Sequence, residues 1–106
     1  MPKIREVTTA VPKYRIDQRT AREFARDLFS ESAPDIDRLL PLFENAGIET
    51  RYFSAPPEWF RRPHTLTEKN EIYIVAATEL AAAAARELFD RTGVGPEDID
   101  YVIYVN

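Results

Sequence analysis

The alanines Ala76-Ala77 and Ala81 to Ala85 constrain the fold more than any other feature, because they fall inside a stretch that otherwise reads as one long helix. Thr65 to Glu68 has the Ser/Thr-x-x-Glu form of a capping box, in which the two residues satisfy each other's free backbone N–H groups. The helix so started runs to Thr92, where Gly93 supplies a left-handed C′ residue. In its second half, small apolar side chains surround almost the whole circumference. A helix of that kind is normally buried on several sides. Small side chains also let neighbouring backbones approach closely, so this helix is expected between layers or against a second, similar helix.

The rest of the chain offers little to cover it. Lys3 to Val11, with Ile4, Val7, Thr8 and Thr9, reads as an N-terminal strand stopped by Pro12. Pro12 to Asp17 reads as a connection, with Asp17 capping the next helix. From Gln18 to about Ser30, Ala21, Phe24, Ala25, Leu28 and Phe29 recur at helical spacing, opposite Arg19, Arg22, Glu23 and Arg26. Ser32-Ala33-Pro34-Asp35 breaks that helix. Ile36, Leu39, Leu40 and Phe43 continue helically to Gly47, and Pro41 predicts a kink or two short pieces. Ile48 to Phe53 alternates as a strand, and the proline-rich Ala55 to Pro63 is expected to be an irregular packed loop anchored by Trp59 and Phe60. Gly95 to Asp98 reads as a turn. Ile99 to Val105 is an almost unbroken apolar run of the kind found in interior parallel strands.

Strand, helix, helix, strand, loop, helix, strand is an α/β order. A length of 106 residues allows one small domain at most. Yet a natural domain rarely ends on its most buried strand, and the long helix lacks cover. The chain is therefore expected to be the N-terminal part of a larger folding unit.

Composition removes several chemistries. With no cysteine, disulfide scaffolds, thiolate zinc sites and cysteine nucleophiles are excluded for these residues. A net charge of −4 has the wrong sign for a broad nucleic-acid footprint. No stretch is long and apolar enough to span a membrane, and the N-terminus does not resemble a signal peptide, so a cytoplasmic location is expected. His64, the single histidine, sits at the start of the long helix, where a structural role is expected. Ser30, Ser32 and Ser54 lack a nucleophile elbow and read as caps and turn residues. Glu97-Asp98-Ile99-Asp100 lacks the length and glycine of a calcium loop. No glycine-rich phosphate loop is present, so any phosphate work falls to basic side chains. Arg19, Arg22 and Arg26 share a face with Glu23 and Asp27 interleaved, the pattern of a solvated helix surface. Arg61-Arg62 beside Trp59-Phe60 leaves open a small anionic-ligand site, against the plainer reading of packed aromatics under two surface arginines.

The order of segments also resembles a known family. Thr9-Ala10-Val11-Pro12 through Asp17-Gln18, then Phe43 to Phe53 with Gly47-Ile48 and Arg51-Tyr52-Phe53, resembles the opening of the type III polyketide synthases, the chalcone and stilbene synthase-like family. Ala55-Pro56-Pro57-Glu58-Trp59-Phe60, followed by Pro63-His64, Glu68-Lys69-Asn70 and Tyr73, resembles the bacterial members. Ala81 to Leu88, Gly93 and Pro96 to Ile103 are similar to the helix, turn and strand of thiolase-fold condensing enzymes in general. The resemblance covers essentially all of residues 1–106.

It implies the N-terminal segment of a layered αβαβα fold and of a homodimeric acyltransferase. Such a protein condenses a starter acyl-CoA with malonyl-CoA through an acyl-cysteine, with histidine and asparagine stabilising the developing negative charge. It needs no cofactor beyond its coenzyme A thioester substrates. All three catalytic residues are expected beyond Asn106, which leaves the chain alone inactive. Plant members hold coenzyme A phosphates with basic residues on the helix before the Gly-Ile-like strand. By position only Arg38 keeps that charge here, since Pro41 and Asn45 take the other matching places, which leaves open a carrier-protein thioester or a different grip. Alternatives are a segment of a ketoacyl synthase III-like enzyme and a non-catalytic structural or binding half-domain.

Overall fold

In a computed structural model, which describes residues 1–105, the sheet consists of two short antiparallel strands, β1 (Tyr14–Asp17) and β2 (Thr50–Phe53). Tyr14 pairs with Phe53 and Asp17 with Thr50, and Ile16 on β1 is buried. Between the strands the chain forms α1 (Gln18–Phe29), α2 (Ile36–Leu39) and α3 (Pro41–Asn45). After β2 come a 3₁₀ turn (Pro57–Arg61), the long helix α4 (Leu66–Thr92) and a second 3₁₀ turn (Pro96–Asp98). Helix and strand are thus mixed, as an α/β order implies. The chain divides into two bodies, residues 11–76 and residues 1–10 with 77–105.

Local chemistry explains the boundaries in the first body. Asp17 caps α1, its Oδ1 accepting the Thr20 backbone N–H at 2.8 Å. Pro41 stands at the first turn of α3, where its missing N–H costs nothing, so the helical stretch splits into two pieces as the proline predicts. Gly47 follows α3 with φ +66°, a conformation that glycine adopts without a Cβ penalty. Leu40, between α2 and α3, is 2% exposed and is the hub of this corner.

The aromatic residues close the other side of the same body. Phe60 meets Phe24 edge-on at 6.5 Å, Phe53 at 5.6 Å and Trp59 at 5.1 Å between ring centroids. The segment around them is not wholly irregular, as three prolines in nine residues led us to expect. Pro57 lies in the first turn of the 3₁₀ helix, where no donor is required of it, and Trp59 N–H reaches the Pro56 carbonyl at 3.0 Å.

The second body contains the later part of α4 and little that covers it. Thr8 Oγ1 donates to the Ala84 carbonyl at 2.8 Å, which ties the N-terminal segment to the helix. Gly93, with φ +70°, ends α4, and its N–H bonds to the Phe89 carbonyl at 2.8 Å. No residue of α4 is buried among the described residues, so the cover expected of its alanine-rich half is not supplied here.

Two strand expectations fail for one reason. Residues 3–11 form no strand, and the strand lies instead at Tyr14–Asp17, where a connection was expected. Residues 99–105 lie outside any ladder among the described residues, with Tyr101 90% and Ile103 88% exposed. A strand is stabilised by its ladder partner and by cover on its faces. β1 finds both in β2 and the buried Ile16, whereas the β-prone composition of the other two segments finds neither.

Candidate functional site

Gln18, Arg22 and Arg26 follow one another four residues apart along a single stripe of α1. Each reaches a different point of the α2–α3 corner. Gln18 Nε2 donates to the Phe43 carbonyl at 2.5 Å, Arg22 pairs with Glu44 at 3.7 Å, and Arg26 pairs with Asp37 at 2.7 Å. The Phe43 carbonyl belongs to the last turn of α3, where carbonyls lack intrahelical donors, so the glutamine satisfies a group that the short helix leaves open. Gln18 Oε1 in turn accepts from Arg51 Nε at 2.8 Å, and the Gln18 backbone N–H bonds to the Glu49 carbonyl at 2.9 Å. The Arg51 guanidinium lies 5.5 Å over the Phe43 ring. One glutamine therefore ties α1 to α3 and to β2.

A groove of about 490 Å³ opens there, lined by Gln18, Arg19, Arg22, Glu23, Phe43 and Glu44. Its charges are largely spoken for, because Arg19 pairs with Glu23 at 3.3 Å and Arg22 with Glu44. The expected solvated stripe is thus only half right. Arg19 pairs along its own helix, while Arg22 and Arg26 hold α3 and α2.

Arg38 sits on α2 and is exposed, and among the described residues its guanidinium has no acidic partner within ion-pair distance. It is not one of the groove-lining residues. Its neighbours in sequence are both accounted for, Asp37 by Arg26 and Leu39 by exposure at the surface.

The arginine pair at the aromatic cluster has another employment. Arg61 stacks over Phe24 at 5.0 Å and pairs with Asp27 at 3.6 Å, so it joins the 3₁₀ turn to α1. Arg62 is exposed. His64 is structural, stacked flat on Trp59 with ring centroids 3.8 Å apart and planes 4° from parallel. Its Nε2 is 2.7 Å from the Trp59 carbonyl, and its Nδ1 is 3.6 Å from Glu68 Oε2. Glu68 also closes the predicted capping box, accepting the Thr65 backbone N–H at 2.7 Å while Thr65 Oγ1 accepts the Glu68 N–H at 3.2 Å. The Thr65 backbone and hydroxyl donors, helped by His64, hold the Glu68 carboxyl below its ordinary value. Asp17 is lowered in the same way by the Thr20 backbone and hydroxyl.

Ser30 and Ser32 donate to carbonyls at the end of α1, from Ser30 Oγ to Asp27 at 3.1 Å and from Ser32 Oγ to Phe29 at 3.5 Å. Both serine hydroxyls thus donate to backbone carbonyls, and the hydroxyls that do meet a carboxylate, Thr20 with Asp17 and Thr65 with Glu68, belong to the helix caps. Among the described residues, no group of three or more His, Asp or Glu side chains is placed to hold a metal ion. What the geometry offers is an exposed cation without an ion-pair partner among the described residues, on a short helix that α1 contacts through Arg26 and whose successor α3 it contacts through Gln18 and Arg22. The family resemblance points to Arg38, but not to the linking roles of Gln18 and Arg51, because a glutamine after an N-cap carries no local signal of its partners.

No family model matches the chain, and no solved structure matches it. Among curated sequences, it is 41% identical over 98 residues to a Bacillus subtilis protein named "Putative chalcone synthase". It is 26% identical over 97 residues to the 1,3,6,8-tetrahydroxynaphthalene synthase of Streptomyces griseus and 27% identical over 99 residues to that of Streptomyces coelicolor. These matches cover 92%, 92% and 93% of the chain, and the chain spans about a quarter of each relative, 27%, 26% and 26%. The stretches that match include both the α1–α3 corner and the alanine-rich helix, and on that footing the chain belongs to the chalcone synthase-like family, the type III polyketide synthases.

Proposed function

We propose that these residues are the N-terminal segment of a polyketide-forming acyltransferase. The complete protein loads a starter acyl-CoA onto a cysteine and extends it by decarboxylative condensation with malonyl-CoA. Attack of the thiolate on the thioester carbonyl releases coenzyme A, and loss of carbon dioxide from the malonyl unit supplies the carbanion that attacks the acyl-enzyme. The nucleophilic cysteine and the histidine and asparagine that stabilise the oxyanion and enolate are contributed by residues beyond Asn106, since this chain contains no cysteine. The observation that carries this reading is the 41% identity across 92% of the chain to a protein bearing a chalcone synthase name.

Two features of the chain agree with it. α4 presents an alanine-rich half that no described residue buries, as a helix of a layered αβαβα fold would before its second sheet and partner helix are added. Arg38 is exposed, with no ion-pair partner among the described residues, on α2 in the split helical stretch before the Gly47-Ile48 segment, where a phosphate of coenzyme A would meet it. Homodimerisation and a cytoplasmic location belong to the same reading. No described helix is long and apolar enough to cross a membrane.

The test is turnover. The longer protein carrying this chain, incubated with a panel of acyl-CoA starters and malonyl-CoA, should release carbon dioxide and free coenzyme A and form a polyketide product. The 106-residue chain alone should form none. Malonyl-dependent product from a variant lacking every cysteine would overturn the acyl-cysteine route. Absence of condensation with any coenzyme A thioester, but activity with carrier-protein thioesters, would move the protein to the ketoacyl synthase III-like class.

A further inference from the structure

We infer that Arg26 is a positioning residue for anion binding at Arg38, acting by masking the charge of Asp37. The inference rests on the reading that Arg38 meets a coenzyme A phosphate. α2 has only four residues, Ile36, Asp37, Arg38 and Leu39, so an acid and a base stand side by side on one turn. Left to itself, the Asp37 carboxylate would cancel much of the field of Arg38 and repel an approaching phosphate. Arg26 removes that conflict. Its Nη2 lies 2.7 Å from Asp37 Oδ1, a charge-assisted contact across from α1. Arg38 is then the one charge on α2 without a counter-ion among the described residues.

The corner is also fixed in direction. Leu40 is 2% exposed immediately after α2, and Leu40 N–H returns to the Ile36 carbonyl at 3.1 Å. Arg38 N–H bonds to the Asp35 carbonyl at 3.0 Å. Arg26 therefore does not build the turn, which has its own hydrogen bonds and its own buried anchor. It sets which charge the turn presents.

This separation makes the idea testable by titrating coenzyme A into the longer protein by calorimetry at low salt. Arg38→Ala should weaken binding about tenfold, as loss of a charge-assisted phosphate contact does. Arg26→Ala should weaken it about threefold, in keeping with the modest effect of an exposed charge. Arg26→Gln should behave alike, and both variants should keep the wild-type melting temperature within a few degrees. The decisive variant is Arg26→Ala combined with Asp37→Asn, which should return affinity to within about 1.5-fold of wild type, because the carboxylate that Arg26 masks is gone while Asp35 is the same in every variant.

If Arg38→Ala changes nothing, the coenzyme A reading of this corner falls and the role of Arg26 falls with it. If Arg38→Ala weakens binding while both Arg26 variants do not, the grip stands and the positioning role is wrong. If Arg26→Ala weakens binding and Asp37→Asn fails to restore it, Arg26 acts by another route and charge masking is overturned.

Discussion

The two bodies of the chain meet the same physical demands in opposite ways. In residues 11–76, Ile16, Ala21, Leu40 and Ala55 are buried, and Gln18, Arg22 and Arg26 reach from α1 to partners on other elements. In residues 1–10 and 77–105 no hydrophobic side chain is buried, although apolar residues are plentiful: Val102 is 85% and Val105 86% exposed beside Tyr101 and Ile103. The difference is not one of hydrophobicity. The first body bends its chain at Pro41, Gly47 and the 3₁₀ turn often enough to fold side chains over one another. The second consists of the later part of one helix, a single 3₁₀ turn and segments outside helix and ladder, and one helix with small side chains cannot cover itself. Contiguous exposed apolar surface of this kind marks a place where more protein packs, which agrees with relatives about four times longer than the chain.

The largest test of this contrast is a charge on the helix. Ala83 is exposed in α4. Introduced into the longer protein, Ala83→Glu should destabilise it by about 3 kcal/mol or more, because an unpaired carboxylate would be forced into a covered interface. A denaturant midpoint unchanged from wild type would show that this face stays in water and would break the comparison. The corresponding test of the first body is Leu40→Ala, expected to cost about 2–4 kcal/mol in the same measurement, since its side chain is already enclosed. A loss below about 1 kcal/mol would mean that the α2–α3 corner does not depend on its hub.

Glycine gives a finer comparison, because one residue type occupies the same conformation in both bodies. Gly47 and Gly93 have φ +66° and +70°, and a Cβ built on either meets nothing within 4 Å. Within these residues each pays only for the left-handed backbone, so Gly47→Ala should cost about 1 kcal/mol. In the longer protein Gly93→Ala should cost the same only if the end of α4 remains open. A penalty several times that of Gly47→Ala, read from paired unfolding curves, would place packed atoms against Gly93.

The limits of the sequence follow the same physics. Asp17, the Thr65–Glu68 box, Pro41, Gly47 and Gly93 were all legible, because each acts within one turn of itself. The strands were not. Lys3 to Val11 looked more β-prone than Tyr14–Asp17, yet a ladder needs a partner, and β2 pairs with the latter across more than thirty residues, from Asp17 to Thr50. The site was legible to the same depth. The spacing of Arg22 and Arg26 put them on one face, but nothing local to α1 revealed that Glu44 and Asp37 would stand opposite. Likewise Arg61 could be read as a ligand arginine until Asp27 and Phe24 claimed it.

The smallest effect concerns acid, and it separates the caps from the rest of the first body. The Asp17 and Glu68 carboxyls are held below their ordinary values of 3.8 and 4.5, chiefly by backbone N–H groups at the starts of α1 and α4. A carboxyl whose folded value is depressed contributes stability that is fully present above its unfolded value and is lost as pH falls through the folded one. Both contributions should therefore persist at neutral pH and fade below about pH 4.5, as each carboxylate gains a proton and gives up its acceptor role. Asp17→Asn keeps an oxygen able to cap α1 but removes the titration, and Glu68→Gln does the same at α4. Urea midpoints measured from about pH 6 to pH 3 should fall less steeply for each variant than for wild type, and least steeply for the two together. Parallel slopes in all four proteins would mean that acid acts elsewhere in the chain, and the capped ends of the first body would then lose their claim to set its pH response.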